Sequence, residues 1–137
     1  MKSVLPFAAV ATLALIPSPA EACPFAAAMN PLLFETLPTV PAGAVAARVE
    51  ILARNPNEPG IRARIVEMIR GEYAGVTLQL HRTGFNSCVR YPQPGETGIV
   101  VGRVVSSSPE VLIIEPELAP SAVQRGEVKI EVIPTPH

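Results

Sequence analysis

From Val45 to Arg54 the chain sets Val45, Ala47, Val49 and Ile51 against Arg48, Glu50 and Arg54. A period of two with one polar face predicts a half-buried β-strand. Residues 55–60 read NPNEPG, a cluster of turn formers that predicts a hairpin to the next strand. Ile61, Ala63 and Ile65 alternate again, but Val66, Met68 and Ile69 break the phase. A strand over 61–70 that bulges near Val66 explains the break, with an amphipathic helix as the rival. Val76, Leu78 and Leu80 then point one way and Thr77, Gln79 and His81 the other, predicting a strand to Arg82. Ile99 to Val105 is almost wholly apolar, and Gly102 inside it marks a bulge or a close backbone approach. The SSSP turn at 106–109 leads to a strand over 110–115, as one buried hairpin. Residues 127–133, EVKIEVI, alternate once more and predict a last strand with Val128, Ile130 and Val132 inward.

The sixteen prolines all fall outside these predicted strands, as sheets require of a residue with no N–H to donate. Five or six short strands with no internal repeat indicate an all-β domain closed into a small barrel. Residues 23–44 are different, with prolines at 24, 31, 38 and 41 and no sustained alternation. Such spacing forbids a long helix and predicts an extended arm. Phe25, Leu32, Leu33, Phe34 and Leu37 are too apolar for a solvated tail, so the arm is expected to lie across the domain at 45–137.

Ahead of the arm, Lys2 precedes an apolar run from Val4 to Ile16, and Pro17, Ser18 and Pro19 break it before Ala20 and Ala22. This is the three-part pattern of a secretory signal peptide over 1–22, too short for a membrane span. Export to a periplasm or the medium is the expectation, with Cys23 as first residue after cleavage. The remaining length suits one small domain. A formal net charge of -1 does not steer the chain toward nucleic acid or anionic lipid.

The chain holds two cysteines, Cys23 and Cys88. In an oxidising compartment a structural disulfide between them is favoured over a metal or redox pair. The chain-entropy model puts such a bridge at about 4 kcal/mol. A competing reading makes Cys23 the lipid-modified residue of a lipoprotein, but Glu21 fits that signal poorly. Candidate catalytic chemistry is thin. There is no Asp, and His81 is the one histidine among the strands, since His137 is the last residue. A lone histidine on an outward face lacks the paired acid or base that catalysis needs. No metal-ligand spacing is present and no cofactor is indicated. Arg62, Arg64, Arg70, Arg82 and Arg90 cluster in sequence, with Tyr73, Phe85 and Tyr91 as the available stacking partners. Glu67 and Glu72 interleave them, so a solvated mixed-charge face is favoured over a nucleic-acid or glycan groove.

The runs AARVEIL, ARIVEMIRGEYAGVTLQLH and YPQPGETGIVVGRV, with a loop cysteine between the last two, resemble the netrin-like module. That module is an OB-type barrel shared by tissue inhibitors of metalloproteinases and secreted bacterial relatives. Arg70-Gly71, Cys88 and Gly95-Glu96 occupy the matching places, and the likeness covers about Val45 to Glu115. It implies an OB-like barrel and a bridge from the mature N-terminal cysteine, Cys23, to Cys88. In the metalloproteinase inhibitors that residue's amine and carbonyl chelate the protease zinc. By position the binding residues here would be Cys23 with Phe85, Asn86 and Ser87, and the partner a metalloprotease. The chain departs from the inhibitors in reading Cys23-Pro24-Phe25 where they carry Cys-x-Cys. The expectation is thus an exported, disulfide-tied protein-binding module without catalytic activity, its protein partner unidentified. Metalloprotease inhibition is the alternative, followed by an enzyme or an oligomer-binding OB protein.

Overall fold

The computed structural model describes residues 23, 25–81 and 88–130. The expected signal segment, Pro24, the loop residues Arg82, Phe85, Asn86 and Ser87, and the chain from residue 131 lie outside the described residues. The described strands are β1 (Asn30–Pro31), β2 (Ala44–Ile51), β3 (Ile61–Arg70), β4 (Thr77–Leu80), β5 (Val89–Arg90), β6 (Thr97–Ser107) and β7 (Leu112–Pro116). Five of them close a barrel in the order β2-β3-β4-β7-β6, and β1 and β5 form a separate two-stranded sheet. Within the barrel only β4 and β7 run parallel, and β6 returns to close on β2. The fold is the all-β, OB-like barrel expected, with five strands.

Alternation explains the core. Ala47, Val49, Ala63, Leu78, Leu80, Val100 and Ile114 are completely buried, each on the inward face of its strand. Val76 was expected to join Leu78 and Leu80, but it precedes the paired part of β4 and is 67% exposed. The phase break in β3 is the expected bulge. Arg48 pairs with Glu67 and Val49 with Ile65, so Val66 faces no partner residue on β2, and a second shift follows between Ala46 and Ala47. An extra residue turns the next side chains to the other face, and Val66 is accordingly exposed. The helical rival for 61–70 is excluded.

Gly102 marks a close approach. A Cβ there would sit 2.5 Å from the Glu115 carbonyl oxygen on β7. The bulge of β6 falls at Val105 instead, between the Val104 to Ile114 and Ser106 to Ile113 pairs. In the β6–β7 hairpin, residues 99–102 of β6 and Leu112 and Ile114 of β7 are buried, whereas residues 103–107 of β6 are exposed although they pair with β7.

Two corrections concern the ends of the chain. The predicted strand over 127–133 does not form across its described part, 127–130. Backbone bonds from Gly126 to Val123 and from Glu127 to Ala122 close a turn, and the chain leaves it with Val128 and Ile130 exposed. Two prolines do enter strands. Pro31 lies in the two-residue β1 and Pro116 ends β7, both places where a missing N–H interrupts little.

Candidate functional site

The arm reaches the barrel through β1, whose Asn30 and Pro31 align with Val89 and Arg90 of β5. The Asn30 N–H donates to the Cys88 carbonyl at 2.8 Å. Four residues on, Phe34 exchanges backbone hydrogen bonds of 2.8 and 2.9 Å with Ile99 of β6. Between these ties Leu32 enters the core and is completely buried. Leu33 and Phe34 are half-buried, whereas Phe25 and Leu37 lie exposed. Gly98 makes the approach possible, since a Cβ there would come within 2.8 Å of the Leu33 Cβ.

After β7 the chain doubles back over the outside of the arm. The Ala119 N–H donates to the Pro31 carbonyl at 2.8 Å and the Val123 N–H to Ala27 at 3.2 Å. Asn30 completes the clamp from the arm side, its Nδ2 donating to the Ala119 carbonyl at 3.1 Å and to Gln124 Oε1 at 2.7 Å. The same Gln124 oxygen accepts the Ser121 N–H at 2.9 Å, so one side chain ties the clamp to itself and to the arm. No local periodicity signals this arrangement, because it arises from contacts between residues about ninety positions apart.

Arm, clamp and the start of β6 enclose a half-open cleft of about 750 Å³. Its apolar wall comes from Ala26, Ala27, Met29, Leu33 and Phe34. Glu35, Arg90, Glu96 and Arg125 stand at the charged part of the lining. Arg90 and Glu96 are paired at 2.6 Å, and Arg125 is held to Glu127 at 2.6 Å. The hydrogen bond from Arg125 holds the Glu127 carboxyl below its ordinary value. The lining therefore sets an apolar wall beside two arginines and two glutamates, of which Arg90 and Glu96 pair with each other.

At the outer end of the arm, Cys23 and Cys88 lie near disulfide distance. The hydrogen bond with Cys88 is the main cause of a raised Cys23 pKa. Of the residues expected at a protease-binding edge, the structure thus brings Cys23 to Cys88, while Phe85, Asn86 and Ser87 fall outside the described residues.

The described arginines are set differently from those of a nucleic-acid groove. Arg48, Arg62, Arg64, Arg90, Arg103 and Arg125 each meet a glutamate. Arg54 stands 5.5 Å from the centre of the Tyr91 ring. Neutralised guanidinium groups release few counterions from a phosphate backbone. His81 is half-buried on the chain leaving β4. Among the described residues no group of three or more His, Cys, Asp or Glu side chains is placed to hold a metal, and no helix is long and apolar enough to cross a membrane. No family model, characterised protein or solved structure matches the chain.

Proposed function

We propose that this chain is an exported, disulfide-tied protein-interaction module, without catalysis of its own, that receives a partner protein at the cleft between arm and clamp. The observation that carries the reading is the meeting of Cys23 and Cys88 at the end of the arm that lines that cleft. A signal-like segment directly before Cys23 and a loop cysteine beside it are what an exported protein needs to fix its N-terminal arm covalently. An apolar wall beside a balanced set of two arginines and two glutamates suits a protein surface better than a phosphate backbone. Placing a photo-crosslinking residue at Ala122, in the cleft lining, and separately at Glu110, on the β6–β7 turn, tests the idea in the native host. The reading expects one discrete cross-linked protein from position 122 and none from position 110. Equal labelling from both positions, or none from position 122, contradicts it.

A second reading follows from the netrin-like resemblance and from the same pair of cysteines. If the bridge forms, the amine and carbonyl of a mature Cys23 would be held in a fixed orientation at the arm's end, as chelation of an open catalytic zinc requires. Pro24 and the lack of a Cys-x-Cys start weigh against it. Protein beginning at Cys23 would then inhibit a zinc metalloprotease, and the same protein carrying one additional N-terminal alanine would not. Equal behaviour of the two forms removes this reading and leaves the first standing.

A further inference from the structure

The arm is held unevenly along its length. Residues 30–34 are fixed by the β1–β5 pairing, by the exchange between Phe34 and Ile99, and by burial of Leu32. Residues 25–29 have much less. They form a single 3-10 turn, Ala26–Ala28, with no buried residue and no side-chain cap. Its own bonds are Ala28 N–H to Phe25 at 3.0 Å and Met29 N–H to Ala26 at 3.2 Å, and the clamp adds Val123 N–H to Ala27 at 3.2 Å. A segment with few buried contacts opens at low free-energy cost. Yet this turn supplies Ala26, Ala27 and Met29 to the cleft wall.

Cys23 and Cys88 stand at the outer end of that weakly held turn. Their supports differ in rigidity. Cys88 precedes Val89, which is 2% exposed within the core, and its carbonyl is bonded to Asn30. One sulfur thus sits next to a core residue and the firmly held β1–β5 pair, and the other at the loose end of the wall.

We propose that Cys23 and Cys88 form a redox latch on the cleft: the bridge holds the 3-10 turn in place as a wall, and its reduction frees residues 25–29 while residues 30–34 remain docked. The latch rests on the bridge proposed above. It closes by exchange with a small-molecule disulfide such as oxidised glutathione. One cysteine thiolate attacks the glutathione disulfide, forming a mixed disulfide and expelling one glutathione thiol. The second cysteine then attacks the mixed disulfide, forming the Cys23 to Cys88 bond and expelling the second glutathione. Two electrons pass to the glutathione pair, and the two cysteine protons end on its thiols. A phosphine reductant reverses the change.

Hydrogen exchange read by mass spectrometry on the full mature chain tests this, after oxidation with oxidised glutathione and again after phosphine reduction. Cys23→Ser serves as a second form without the bridge. The latch requires that amide exchange in the segment 25–29 rise by about tenfold or more on reduction and in Cys23→Ser. Segments 31–34 and 46–51 should keep their protection in every form. Unchanged exchange at 25–29 in protein whose intact mass shows the bridge overturns the latch alone. Equal loss at 31–34 also overturns it, since the arm would then leave as one piece. An oxidised protein whose mass shows no bridge overturns the latch together with the reading on which it rests.

Discussion

Leu32 does more to hold the arm than either side-chain hydrogen bond of Asn30, two residues before it. A completely buried leucine truncated to alanine costs about 2 to 5 kcal/mol, whereas a net hydrogen bond contributes about 1 kcal/mol. Leu32→Ala should therefore lower unfolding stability in urea by about 3 kcal/mol, and Asn30→Ala by about 1 to 2 kcal/mol. A reversed order would mean that the clamp, not the core, seats the arm. Gly98→Ala should displace residues 33–34, because the new methyl would meet the Leu33 Cβ at 2.8 Å. Faster amide exchange at Phe34 with little change at Val49 is the expected result.

The thiol of Cys23 gives a pH-dependent expectation for the reduced protein. Its pKa is raised in the folded state, first by its hydrogen bond with Cys88. A raised folded value means that the proton is held more tightly in the native state than in the unfolded one. The associated stability is present below the unfolded pKa and is lost as pH rises through the folded one. Because the thiolate is the reactive form, native reduced protein should alkylate more slowly at Cys23 than the same chain in urea at mildly alkaline pH. Rates compared by peptide mass mapping would show this, and faster native alkylation would contradict it.

At the scale of elements, sequence periodicity was legible wherever a strand buries one face along its length. The 61–70 strand has its expected bounds and its bulge at Val66, because a bulge leaves a mark on the phase of the side chains. β1 and β5 were not legible, since two residues have no period and their pairing is set by contact between arm and loop. The cleft was hidden for the same reason. The opposite error occurred at 127–130, where clean alternation predicted a strand but the turn at Ala122 to Glu127 leaves the segment unpaired with the barrel. Alternation reports suitability for a half-buried strand and says nothing of whether a neighbouring strand is within reach. A Val128→Ser, Ile130→Ser double variant should thus change stability by no more than about 0.5 kcal/mol per site. A loss of several kcal/mol would restore the sixth strand.

Across the whole molecule, the ion pairs and the bridge contribute on very different terms. The six arginine–glutamate pairs among the described residues lie on exposed or half-exposed side chains, where such pairs give at most about 1 kcal/mol each and salt screens them. A bridge between Cys23 and Cys88 would restrict the unfolded chain over nearly half its length, with an entropic ceiling of about 4 kcal/mol. The measured gain should fall below that ceiling. In the reduced native protein the weakly held residues 25–29 regain freedom of their own, which offsets part of the difference.

Export, the tied arm and the binding cleft all depend on what Cys23 becomes in the mature protein. The most direct measurement is the intact mass of the protein recovered from its native host, with and without reductant. The account predicts a chain beginning at Cys23 that gains two hydrogens on reduction. A chain that keeps residues 1–22, a mass increased by a diacylglyceryl group, or a mass that reductant leaves unchanged would contradict it.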